Sequence, residues 1–123
     1  MTRLALVAVG GAAGAVARYL IGGWAAARWS AGFPFGTLLV NVTGSFLLGL
    51  LATLTTERFV SPNVRVLLGI GFLGAYTTFS TFAYESLQLL AAGSFGRAAL
   101  NMVGSLLVGL AAVWLGVVVA RLL

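Results

Sequence analysis

The sequence predicts an all-α integral membrane protein with four membrane-spanning helices, the third of them broken. Of its 123 residues, 61% are hydrophobic and 7% are charged. A soluble domain carries about 25% charged residues, so this chain cannot cover a water-exposed surface. A helix needs roughly 20 apolar residues to cross the bilayer core. The length therefore accommodates four spans and almost nothing else, which indicates a single membrane domain over residues 1–123.

Breaker and charge signals divide the chain into these four spans. The first stretch ends at Arg28, and the second begins near Phe33 and stops at Glu57. Pro62 opens the third, and Arg97 follows a glycine-containing turn into the fourth. The predicted spans are residues 4–27, 33–56, 64–91 and 98–121.

The chain also repeats itself at a spacing of 60 residues. Residues 41–52 align with residues 101–112, and residues 11–15 align with residues 71–75 in the same register. One register thus relates helix one to helix three and helix two to helix four. The sequence predicts a duplicated two-helix hairpin, with both copies in the same orientation.

A signal peptide is the alternative interpretation of the first apolar stretch. Arg3 precedes it, and Ala15 and Ala17 fit a small-x-small cleavage site. The repeat, however, extends into residues 11–15. This favours a first membrane helix that is retained.

The charged residues are few and evenly distributed. The chain has seven Arg, two Glu, and neither His nor Cys, so thiol chemistry and the usual transition-metal sites are not expected, and neither is an enzyme. The Arg are scattered singly, which does not fit nucleic-acid binding. Since loop Arg bias sets orientation, a balanced chain can insert either way round, which is compatible with an antiparallel homodimer. The two groups are Arg3, Arg58, Arg65 and Arg121 on one side, and Arg28, Arg97 and Arg18 on or nearer the other.

Polar groups inside the predicted spans are the functional candidates, because they are costly in lipid. Arg18 lies well inside helix one and needs a polar partner or a water-filled vestibule. Thr37 and Asn41 form an i, i+4 pair on one face of helix two, and Asn101 with Ser105 is the repeat copy of such a pair. Interhelical hydrogen bonding is the alternative role for both pairs.

The densest polar segment is the run of residues 71–82 in helix three, with two glycines and four Ser or Thr hydroxyls. We expect an unwound stretch there, whose freed carbonyls, such as those of Gly74 and Thr77, are able to coordinate a cation. Phe79 and Phe82 share a face beside the hydroxyls, and their positive ring edges can line an anion path. Hydroxyl and amide donors with almost no carboxylate suit a small anion better than a cation.

These segments closely resemble the CrcB/Fluc family of fluoride channels, over essentially the whole chain. The matching motifs are Gly11-x-x-Gly14-Ala15-x-x-Arg18-Tyr19, Gly36-Thr37-Leu38-x-Val40-Asn41-x-x-Gly44-Ser45-Phe46, Gly71-Phe72-x-Gly74-x-x-Thr77-Thr78-Phe79-Ser80-Thr81-Phe82 and Gly104-Ser105. The resemblance implies a dual-topology antiparallel homodimer in the inner membrane, with two fluoride pathways that export fluoride passively and reduce its toxicity.

The resemblance also implies individual roles. Phe79 and Phe82 would coordinate fluoride through their ring edges, and Asn41 would donate a hydrogen bond to it. Arg18 would shape the entrance vestibule, and Glu85 resembles an acidic residue near the pathway mouth to which no role is assigned. The expected hydroxyl track is Ser80, Thr81, Ser105 and, less directly, Thr37. The expected cofactor is a structural sodium ion at the dimer centre, held by the backbone carbonyls of Gly74 and Thr77 from both subunits.

Two other functions remain open at this point. A small multidrug-type antiporter also has four helices and dual topology, but it needs a membrane-embedded carboxylate in helix one, where this sequence has none. An inert structural or assembly subunit would leave the repeated Asn and the hydroxyl run without a purpose. Fluoride flux measured in liposomes distinguishes all three.

Overall fold

The computed structural model describes residues 1–29, 32–58 and 60–123, and it is helical in almost all of them. The prediction of four apolar helices is confirmed. The helical segments that are long and apolar enough to cross a membrane are Thr2–Arg28, Phe35–Glu57, Pro62–Ala91 and Phe95–Leu122.

The third of these segments consists of two helices. We label the first two spans α1 (Thr2–Arg28) and α2 (Phe35–Glu57). The third span divides into α3, residues 62–76, and α4, Phe79–Ala91, and the fourth span is α5, Phe95–Leu122. Between α3 and α4, Thr77 and Thr78 are extended, with ψ angles of 156° and 113°. The interruption is therefore two residues long.

Two stretches are wound more widely than an α-helix, with the i→i+5 pattern of a π-helix. They are Arg65–Leu73 in α3 and Leu100–Gly104 in α5. Their counterparts in the first copy of the repeat, residues 5–13 and 40–44, are α-helical. The two copies thus differ in backbone geometry, and nothing in the sequence pattern predicted this difference.

Close backbone approach joins the helices in pairs, α1 with α3 and α2 with α5. A Cβ added at Gly14 would collide with the Phe72 backbone, and one added at Gly49 would collide with the Val113 backbone. Lipid tails are as apolar as Leu, so membrane helices associate through such close contact. Among the described residues, Gly74, Gly104 and Gly109 approach no other helix in this way within the protomer.

The helix ends show which elements lie on the same side. An exposed ion pair joins Arg121 near the end of α5 to Glu57 at the end of α2, with N···O at 3.3 Å. At the other end, the Trp24 and Trp29 rings meet edge to face with centroids 5.4 Å apart, which suits rings at a membrane interface. Phe59, which the sequence also places near a helix end, lies outside the described residues.

Candidate functional site

The site is built around the extended residue Thr78, which a side chain of α2 holds in place. Asn41 Oδ1 accepts a hydrogen bond from the Thr78 backbone N–H at 2.7 Å, and Asn41 Nδ2 donates to the Thr78 carbonyl at 3.0 Å. In a continuous α-helix this N–H would donate to the Gly74 carbonyl four residues earlier. The amide of Asn41 thus replaces the helical bond and satisfies both polar backbone groups of Thr78.

The side chain of Thr78 begins the next helix. Its Oγ1 accepts a hydrogen bond from the Thr81 N–H at 3.3 Å and donates to Thr81 Oγ1 at 3.0 Å. Threonine with an extended backbone is a favoured N-cap, because its hydroxyl satisfies an N–H group that has no helical partner. Thr78 therefore both ends the interruption and positions the first turn of α4.

Two phenylalanines lie on that first turn and share one face. The ring centroids of Phe79 and Phe82 are 5.8 Å apart, and the ring planes are tilted by 48°. Phe79 is 79% exposed within the protomer, whereas Phe82 is partly buried. An aromatic ring carries partial positive charge at its edge. Of the two rings, Phe79 lines a cavity together with Asn41 and Thr78, and Phe82 packs against Phe79.

Two cavities open on either side of this point. The larger, of about 950 Å³, contains Arg18, Thr37, Thr81 and Glu85. The smaller, of about 290 Å³, contains Asn41, Phe79 and the backbone of the interruption. Thr78 lines both cavities. The extended residue therefore borders both the larger cavity, which we call the vestibule and which has Arg18 and Glu85 in its lining, and the smaller one, the narrow chamber, whose described lining residues carry no charge.

Glu85 is the acidic group of the larger cavity. Thr37 Oγ1 donates to Glu85 Oε1 at 2.9 Å, which ties α2 to α4. The second oxygen, Oε2, is buried and has no hydrogen-bond partner among the described residues. Thr37, predicted as part of a hydroxyl track, thus directs its proton at a carboxylate in this structure.

The backbone at the interruption is suited to a hard cation. Gly74 is exposed, its carbonyl does not receive the Thr78 N–H, and Thr77 is extended. Carbonyl oxygens are the ligands that Na⁺ and similar hard cations take, and interrupted membrane helices supply them. Among the described residues no cluster of three His, Cys, Asp or Glu side chains exists to hold a metal.

Comparison with known proteins identifies the family. The family model described as "CrcB-like protein, Camphor Resistance (CrcB)" matches residues 5–117. The chain belongs to the CrcB-like family. With the four apolar helices, this makes it a multi-pass protein of the cell membrane.

Curated relatives of this CrcB-like protein match over nearly their full length. One from Geobacter metallireducens is 48% identical over 122 residues, which is 98% of each chain. One from Acidobacterium capsulatum is 51% identical over 116 residues, covering 94% of this chain and 93% of the relative. One from Shewanella sp. MR-4 is 50% identical over 116 residues, covering 94% of each chain. All three relatives are named "Fluoride-specific ion channel FluC".

The structure brings some of the predicted site residues of this CrcB-like protein together and separates others. Arg18, Thr37 and Thr81 share the larger cavity. Asn41 and Phe79 share the smaller one with the metal candidates Gly74 and Thr77. The remaining three line neither cavity: Phe82, Ser80 and Ser105. Their predicted roles stay predictions.

Sequence reasoning on this CrcB-like protein missed the central residue, Thr78. The hydroxyl run was recognised, but Thr78 was not separated from its neighbours. A usable signal was present, because a Thr directly before the first apolar residue of a periodic run is typical of a helix start. The partner of Tyr76 was also missed, since Tyr76 Oη and Thr43 Oγ1 lie 2.8 Å apart in a contact between helices.

Proposed function

We propose that this protein is a passive, fluoride-selective channel. The observation that carries the proposal is that Phe79, the amide of Asn41 and Thr78 line one cavity, with the Phe82 ring packed against that of Phe79. The relatives named as fluoride-specific channels support it. An enzyme role has no support in this arrangement of groups.

The donors around Thr78 suit a small, strongly hydrogen-bonding anion. Asn41 Nδ2 carries two hydrogens, and one of them is donated to the Thr78 carbonyl. The other is available to fluoride as it passes the adjacent ring edges. Selectivity follows because compact donors replace the hydration shell of a small anion better than that of chloride.

In this proposal the ion reaches these donors through the vestibule. Arg18 attracts anions into the larger cavity, and the hydroxyls of Thr37 and Thr81 lead toward Thr78. Ser80, whose hydroxyl lies 3.5 Å from that of Thr78, and Ser105 are further members of the proposed hydroxyl track. Glu85 lines the same cavity as Arg18 and has the opposite charge, so the vestibule is not uniformly positive.

Fluoride leaves the cytoplasm through such a channel without an energy source. Hydrogen fluoride crosses membranes as a neutral molecule and ionises in the less acidic cytoplasm. A passive path then lets the trapped anion move out down its gradient, aided by an inside-negative potential. Export of this kind reduces fluoride toxicity.

The functional unit in this proposal is an antiparallel homodimer with two pathways. Gly74, Phe79 and Ser80 are exposed at an interrupted helix within a membrane span. Irregular backbone is tolerated at that depth only where protein or a water-filled cavity surrounds it. A second, inverted copy would cover it, and the balanced Arg count permits insertion in both orientations.

A structural sodium ion at the centre of this dimer is part of the proposal. The carbonyls of Gly74 and Thr77 from both subunits would hold it, and the ion would neutralise the negative ends of the backbone dipoles there. We expect Na⁺ to raise the melting temperature of the detergent-solubilised protein relative to choline at equal ionic strength, because a ligand bound only by the folded state stabilises it. Equal melting temperatures in both salts would argue against the site.

The decisive experiment measures fluoride efflux from liposomes with a fluoride electrode. Purified protein should release fluoride rapidly, with no release from protein-free liposomes, and an imposed pH gradient should not be needed. Chloride efflux measured in parallel should stay at the background rate. No fluoride efflux, or equal chloride efflux, would overturn the proposal, and strict dependence on a proton gradient would favour the antiporter.

A further inference from the structure

The repeat places a second asparagine, Asn101, at the position equivalent to Asn41, but the structure gives it different surroundings. Asn101 is 2% exposed and lies between helices. Its Nδ2 donates to Ser86 Oγ at 2.9 Å, and its Oδ1 accepts a long hydrogen bond from Ser105 Oγ at 3.4 Å. Asn101 lines neither of the two cavities. Its side-chain hydrogen bonds are made to the neighbouring residues Ser86 and Ser105.

Ser86 connects Asn101 to the first turn of α4, which carries Phe79 and Phe82. Ser86 Oγ donates to the Phe82 carbonyl at 2.8 Å while it accepts from Asn101. The hydrogen bonds therefore form a directed chain from α5 through Asn101 and Ser86 to the backbone of Phe82. Chains of this kind are stiff when every member is satisfied.

Ser86 is also the most deeply buried residue of α4. Among the residues of α4, all of which the structure describes, Ser86 alone is buried, at 4% exposure. Its neighbours Phe79, Tyr84 and Leu87 are exposed, and α4 contacts α2 only slightly. The helix that carries both phenylalanines is thus held largely by polar contacts, from Asn41 and Thr37 on α2 and from Asn101 on α5.

From this geometry we infer that Asn101, acting through Ser86, is a positioning residue for Phe82. The inference rests on the proposed function, in which the Phe82 ring edge contacts fluoride. A ring edge acts over a short range, and sites that recognise small groups need their contacts held within about 0.5 Å. Asn41 fixes the start of α4 and Asn101 fixes its second turn. The two copies of one repeat thus set the two ends of the segment that carries the rings.

The test uses Ser86→Ala and Asn101→Ala in the liposome efflux assay. We expect each to lower fluoride efflux about tenfold, which corresponds to about 1.4 kcal/mol. Ser86→Thr, which keeps the hydroxyl, should restore efflux. Since both residues act along one chain, the double variant should be no slower than either single variant. Thr53→Val is the matched control, because Thr53 is also buried and donates to a carbonyl four residues earlier, at Gly49 in α2.

A second background separates positioning from general stabilisation. In Phe82→Ile, assayed with enough protein per liposome to keep its residual efflux well above the protein-free rate, no ring remains to be positioned and Ser86→Ala should cause no further loss. A loss of the same factor in that background, or unchanged efflux in both single variants, would overturn the inference. If Asn101→Ala does not fold, Ser86→Ala alone carries the test. Absence of fluoride efflux from the unmodified protein would instead overturn the proposed function, so the two failures are distinguishable.

Discussion

Replacing Phe79 or Phe82 by Ile should nearly abolish fluoride efflux. Isoleucine keeps the apolar bulk but has no ring edge with partial positive charge. The anion would then cross the narrow chamber with fewer compensating contacts after losing water. We expect a fall of about 100-fold or more for each variant, equivalent to a barrier raised by about 2.7 kcal/mol. The electrode assay on liposomes of matched protein content measures it.

Phe95→Ile is the control for this pair. Phe95 is an exposed aromatic at the start of α5 and lines neither cavity. Its replacement should leave efflux unchanged. The elution profile of each variant in detergent checks that assembly is intact. Wild-type efflux from a properly assembled Phe79→Ile or Phe82→Ile protein would contradict the ring-edge role of that residue.

Replacing Asn41 should be as damaging, for a different physical reason. Asn41→Leu keeps the volume but leaves the Thr78 N–H and carbonyl without their partners, and each buried unpaired group costs about 1–3 kcal/mol. Asn41→Asp keeps the bond to the Thr78 N–H but places a carboxylate oxygen against the Thr78 carbonyl and next to the ion path. We expect fluoride efflux to fall at least about 100-fold in both variants.

The two substitutions distinguish two contributions of Asn41. Asn41→Leu should also lower the melting temperature, because the extended backbone of Thr78 loses its support. Asn63→Asp is the control, because it makes the same substitution at an exposed position of α3, and it should alter neither efflux nor melting temperature. Efflux that survives Asn41→Asp would show that the Asn41 N–H groups do not contact the ion.

The four spans were predictable because composition and length leave no other arrangement. Hydropathy identifies a span without reference to its partners, and the repeat is visible in the residues themselves. The functional segment was predictable for a related reason, since hydroxyls and glycines are costly at that depth unless they have a use. Residues 71–82 are therefore conspicuous in the amino-acid sequence itself.

Partners and backbone geometry were not predictable in the same way. Asn41 and Asn101 occupy equivalent positions in the repeat, yet one holds an extended backbone and the other a buried serine. Sequence periodicity gives the face of a helix on which a residue lies, but not which neighbouring helix that face meets. The widely wound stretch Arg65–Leu73 likewise differs from its α-helical counterpart in the first copy of the repeat, residues 5–13. Such differences arise only when the four spans are assembled.

The contact between Asn41 and Thr78 has a consequence for biogenesis. The shape of the third span is not specified by that span alone, because a side chain of α2 supplies the partners of its extended backbone. An isolated segment in lipid would instead satisfy its amides along its own axis, as membrane segments must. The interrupted conformation of the third span is therefore expected to form only after the second and third spans have docked in the bilayer.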